Sequence, residues 1–142
     1  MKREEKIEMI QEIIEKKDPY IGLYAELLLS MGDMKLNYRD YMITEPINCS
    51  EELKRVFNAD YDLCAALLTM VLREDHFSNG SFKRRFAAGQ VLPILKRMMD
   101  VLSIDVIKKI IKKIDSYLYE LRLMNTLKAQ AEEIILAELI ND

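Results

Sequence analysis

The chain has no tryptophan, one histidine, two cysteines, three prolines and four glycines among 142 residues. Each scarcity removes a class of answer. Cys49 and Cys64 are too few and too unpatterned for a disulfide framework or a metal knuckle. With His76 as the lone imidazole there is no spacing that would bind zinc. The start, MKREEKIEMIQE, carries charges where a signal peptide needs an apolar core. No uninterrupted apolar run approaches the roughly 18 residues a membrane span requires. A reducing cytoplasm is therefore the expected compartment. Alternating apolar and polar runs, Gly-rich linkers and internal repeats are also missing, so the fold class is all-α, a single helical domain over 1–142.

What is present is helical periodicity. Residues 2–17 carry Ile7, Ile10, Ile13 and Ile14 on one face, and Asp18-Pro19 ends the run because the residue before proline leaves the helical region. A second helix over about 20–31 places Leu23, Tyr24, Leu27, Leu28 and Met31 together and stops at Gly32, giving an expected hairpin of helices. Residues 34–49 are irregular, broken by Pro46 and Asn48. Ser50, followed by Glu51 and Glu52, reads as the cap of a short helix that turns Leu53, Val56 and Phe57 inward.

Between Leu63 and Leu72 every residue but Thr69 is apolar. A helix hydrophobic all round belongs inside a core, so about 61–76, capped by Asp60, is the expected central helix. The four phenylalanines lie between Phe57 and Phe86 and are expected to form one aromatic core cluster. Nine methionines serve as adaptable core filler or, alternatively, as a re-packable binding surface. After the Asn79-Gly80 turn, Phe82 and Phe86 share a face of a short helix stopped by Gly89. Pro93 suits the first turn of the next helix, which turns Ile94, Leu95, Met98 and Leu102 inward.

Ser103 is the expected cap of the last segment, 103–140, which contains neither glycine nor proline. Ile107, Ile110, Ile111, Ile114, Tyr117, Leu121 and Met124 trace an apolar stripe there, and Leu127, Ala131, Ile134 and Ile135 continue it after a phase slip near Asn125-Thr126. Either one long helix is underwound or overwound at that point or two helices meet. A helix of nearly forty residues would run about 60 Å, longer than a compact domain of this size. Self-association with a second copy, through Ile114, Leu121, Met124 and Ile134, follows as an expectation.

Charge is unevenly spread. Residues 1–59 hold nine basic and twelve acidic groups, whereas residues 83–113 hold nine basic groups against only Asp100 and Asp105. A basic patch of that kind fits an acidic protein surface or, as the alternative, a nucleic-acid backbone. It can also be neutralised internally, by the ridge of Glu4, Glu8 and Glu12 on the first helix. Arg73, Ser78, Asn79, Lys83, Arg84, Arg85, Lys96 and Arg97 are the candidate partner- or anion-binding residues, because a polar turn entering a helix offers free N–H groups that neighbouring cations reinforce. The bland alternative is a capped turn with solvated cations. His76, beside Glu74 and Asp75, could act as a general base, but no nucleophile stands in frame with it, and a cation at a helix end is favourable in any case. No cofactor or metal is implied.

Arg73, His76, Phe77, Gly80, Gly89, Ile94, Leu95, Arg97 and Met98 form a pattern over about 60–99 that resembles a family of small, largely helical bacterial proteins classed only as a domain of unknown function. The resemblance implies an importance for Arg73 and the two glycines, and no activity. The expected function is a non-enzymatic helical interaction or regulatory protein, inhibitor- or adaptor-like and of bacterial or phage type, that binds an acidic partner. Nucleic-acid binding through 83–113 is the alternative, and an enzyme or nucleotide sensor using Arg73, Asp75 and His76 a distant third.

Overall fold

The computed structural model describes residues 1–141, and among them every regular element is helical. The chain divides into two compact units, Met1–Asp105 and Val106–Asp142. In the first, α1 (Arg3–Lys16) and α2 (Ile21–Met31) pack together across a tight corner. Asp18 shapes that corner by accepting the Tyr20 amide through its side chain (2.9 Å) and the buried Tyr24 hydroxyl through its carbonyl (2.8 Å). Asp33, just past α2, accepts a charged hydrogen bond from Lys6 of α1 (2.8 Å) and another from the Tyr61 hydroxyl of the central helix. One carboxylate thus ties three elements together.

The central helix, α4 (Tyr61–Phe77), is capped by Asp60, whose carboxylate accepts the Leu63 amide at 2.8 Å. From Cys64 to Val71 it is buried without interruption. Two 3-10 turns (Tyr38–Tyr41 and Val56–Asn58), α2, α3 (Cys49–Leu53) and α5 (Ser81–Ala87) all pack on it. Thr69, the polar member of the apolar run, satisfies its hydroxyl within the core by donating to the Ala65 carbonyl (2.8 Å) and accepting the Lys35 amide (3.2 Å). Val91 and, from the start of α6 (Leu92–Asn141), Ile94, Leu95, Met98 and Leu102 join the same core.

Three local expectations change. Asn48, rather than Ser50, caps α3, accepting the Glu51 amide at 3.1 Å. Ser103 caps nothing, because α6 runs unbroken from Leu92 and the serine hydroxyl returns to the Met99 carbonyl four residues back. Phe57 and Phe77 are 78% and 77% exposed, so the aromatic cluster is Phe82 and Phe86 around Tyr24, with ring centroids 5.0 and 6.2 Å away. Phe57 is the middle residue of a three-residue 3-10 turn and Phe77 the last residue of α4, past the buried part of that helix.

The irregular stretch before α3 is organised by a carboxylate. Glu52 is fully buried. Its oxygens accept the amides of Ile43 (2.9 Å) and Thr44 (3.3 Å), the Thr44 hydroxyl (3.1 Å) and the Arg55 guanidinium (2.9 Å). Arg55 spans onward to the Tyr41 carbonyl at 2.8 Å. Burial opposes ionisation of Glu52, but the Ile43 amide, the Thr44 hydroxyl, Arg55 and the Thr44 amide outweigh it and hold the carboxyl below the usual range.

Replacing Glu52 by Ala strands buried donors and is expected to lower unfolding free energy by about 3–5 kcal/mol in denaturant titration. Because the folded carboxyl titrates lower than the unfolded one, its contribution is complete above the ordinary value of 4.5 and fades as pH falls below it. The melting temperature of a Glu52→Gln variant should accordingly fall less steeply with acidification than that of the parent.

Candidate functional site

The turn from α4 into α5 is built by two consecutive acids. Asp75 accepts the Phe82 amide (3.1 Å) and so satisfies a donor at the start of α5. Glu74 receives a forked hydrogen bond from Arg85, which holds its carboxyl below the ordinary range against partial burial, and the neighbouring Cys49 thiol acts in the same direction. Arg85 also reaches Gln90 (3.0 Å) and Ser50 (3.3 Å), so one guanidinium joins α3, α4, α5 and the approach to α6. Gly80 supplies a left-handed turn residue (φ 86°) that lets the chain reverse between the two acids and the arginine.

Beside this clamp lies an open cleft of about 350 Å³ lined by Glu74, Ser78, Ser81, Arg84, Arg85, Ala88 and Gln90. Ser81 Oγ is buried there without a hydrogen-bond partner. Arg84 is exposed and makes only long contacts, to Ser78 Oγ (3.4 Å) and the Asn79 carbonyl (3.5 Å).

The candidate residues therefore separate into groups. Ser78, Arg84 and Arg85 meet at the cleft, with Asn79 presenting its carbonyl at the rim. Arg85 is committed to Glu74 and Arg97 to the Ala59 carbonyl (2.8 Å), so these two cations brace the fold. Lys83 and Lys96 are exposed and, among the described residues, make no ion pair. Arg73 and His76 line a separate groove of about 390 Å³, shared with Ala25, Leu29, Met34, Leu36, Thr69 and Leu72. Neutralisation comes from unexpected partners: Glu74 takes Arg85, while Glu12 of the acidic ridge pairs with Lys16.

The groups able to do covalent chemistry are quiet. Burial, then the neighbouring Glu74, pushes the Cys49 thiol up to about 12, and burial does the same to Cys64. His76 is exposed, its ring set edge-on to Phe77 at 5.2 Å. Among the described residues no set of His, Cys, Asp and Glu is arranged to hold a metal ion, and no helix is long and apolar enough to cross a membrane.

In the second unit, Ile114, Met124 and Ile134 are 51%, 64% and 61% exposed, and Leu121 is partly so. On the single helix α6, Ile114, Leu121 and Met124 share a face with Ile110 and Tyr117, whereas Leu127 and Ile134 lie to one side of it. Sequence periodicity located that surface; the Glu74–Arg85 clamp escaped it, since eleven residues and a turn separate the partners.

Compared with known proteins, residues 26–103 match the model of a family of unknown function, DUF6508. That is more than half of the chain, and it ends close to the limit of the first unit. No curated protein and no solved structure matches.

Removing the clamp with Arg85→Ala should reduce stability by about 2 kcal/mol, since Glu74 then loses a charge-assisted partner. Arg84→Ala, one residue earlier but exposed, should stay within about 0.5 kcal/mol of the parent in the same denaturant titration.

Proposed function

The chain belongs to DUF6508, a family of unknown function, and on that premise we propose from its geometry that it is a helical interaction protein that assembles with a second copy of itself through residues 106–140. The apolar surface of that segment carries the reading. Ile107, Ile110, Ile111, Ile114, Tyr117, Leu118, Met124, Leu127, Ile134, Ile135 and Leu139 are all at least two-fifths exposed. Covering a large aliphatic side chain is worth about 1.5–3 kcal/mol, and a helix of this kind draws most of its stability from packing its apolar face rather than from propensity. So many exposed large apolar side chains on one helix favour a contact with another protein surface.

A second reading concerns the first unit, and the cleft beside the Glu74–Arg85 clamp favours it. Arg84 stands there without an acidic partner among the described residues, next to the unsatisfied Ser81 hydroxyl, and the exposed Lys83 precedes it on the same helix. An acidic side chain of a partner protein would supply what these groups lack. Nucleic acid is the weaker fit, because Arg85 and Arg97 are already committed within the fold and the chain as a whole carries a net charge of -3.

Light scattering on purified protein should give at least twice the 16.7 kDa of one chain. Leu121→Ser with Ile135→Ser should return it to one chain and lower helical circular dichroism, as residues 106–140 lose their cover; an unchanged mass would reject this interface. For the cleft, a glutamate-rich peptide should bind the parent and weaken about tenfold, roughly 1.4 kcal/mol, on Lys83→Ala with Arg84→Ala. If oligonucleotides bind instead, with affinity falling steeply in salt, the acidic-protein reading gives way to the nucleic-acid one.

A further inference from the structure

Resting on the self-association reading, we propose that the two copies pair antiparallel along α6, about a two-fold axis at the midpoint between Arg122 and Leu123. An antiparallel homodimer sets a demanding condition: each residue meets the one equally far on the other side of the midpoint, so the contact surface must read alike from both ends. A different partner protein would impose no such symmetry.

The segment meets that condition. Val106, Ile110, Ile114, Tyr117, Leu121, Met124, Lys128, Ala131, Ile135 and Leu139 are spaced 4, 4, 3, 4, 3, 4, 3, 4 and 4 residues apart. That series is the same in both directions. Its average step of about 3.7 residues is close to the 3.6 of a straight helix, so all ten positions stay on one face without a break in the helix. The slip near Asn125-Thr126 arises where Leu127 and Ile134 are counted in the stripe; this line passes from Met124 through Lys128 to Ala131 and has none. Across the axis Leu121 meets Met124, Ile114 meets Ala131, Ile110 meets Ile135 and Val106 meets Leu139. Tyr117 meets Lys128, a cation opposite an aromatic ring.

Charge selects the same direction. Residues 106–122 hold five basic groups against two acidic ones, and residues 123–141 hold one basic group against three acidic ones. Parallel copies would bring Lys108, Lys109, Lys112 and Lys113 of both chains to one level. Antiparallel copies set each lysine cluster at the height of Glu132, Glu133 and Glu138 of the other chain, within reach of unscreened attraction. The like-charge pairs that weaken an isolated helix there become the source of its direction.

Intermolecular spin-label distances test this on the full chain with Cys49→Ser; Cys64 is fully buried and stays unlabelled. A label at Glu120→Cys lies near the axis and should give a distance below about 20 Å. A label at Lys109→Cys should give about 40 Å, from 27 residues of helical offset at 1.5 Å each. A distance at Lys109→Cys as short as that at Glu120→Cys would overturn the antiparallel arrangement while leaving self-association standing. A sample with the mass of one chain and no intermolecular distance at either label would overturn both.

Discussion

A helix that is apolar on every side is stable in water only when every side is covered, and α4 imposes that condition on everything built around it. From Cys64 to Val71 no face is left for solvent, so α2, α3, α5 and two 3-10 turns are all needed to cover it. Several of these are too short to be stable alone. They are held by polar bonds whose purpose is geometric: Asp60 starts the central helix, Asp75 starts α5, and Asp33 draws α1 and α4 together. The hydrophobic requirement fixes what must be covered, and these carboxylates fix how.

The same division explains what the first unit can offer a partner. A guanidinium engaged by a carboxylate on a neighbouring helix is a brace, whatever its sequence context suggests, and Arg85 and Arg97 are braces in this sense. Their neighbours Lys83, Arg84 and Lys96 have the same charge but are exposed and engage no carboxylate among the described residues. Adjacent residues in a basic run thus differ in what the fold asks of them: one is held by a carboxylate of a neighbouring helix and the next stands exposed.

How much of this was legible follows from range. Whatever rests on helical spacing could be read: the central helix, the Asp60 cap, the two opening helices, the Gly89 stop and the apolar surface of residues 106–140. What depends on tertiary contact could not. Glu52 looked like an acid in a first helical turn and is a buried hub; Phe57 and Phe77 looked like core and lie outside; Arg85 looked solvated and is clamped. In each case the deciding partner comes from another element, and a local pattern carries no information about it. The apparent fault in the α6 stripe comes from counting Leu127 and Ile134; a line that runs from Met124 through Lys128 to Ala131 and Ile135 has none, and an apolar pattern does not select a lysine.

The Glu52 hub has one more implication. In holding the stretch before α3 it grips the amides of Ile43 and Thr44 and, through Arg55, the Tyr41 carbonyl; Thr44 is the side chain it uses. Backbone groups are common to every residue type, so the shape of this loop is nearly independent of its spelling. Ile43 and Glu45 face outward on a frame their side chains do not build, with Ile47 partly covered beside them. Such a segment can drift in sequence without drifting in form, and relatives sharing this hub could present different surfaces from the same scaffold.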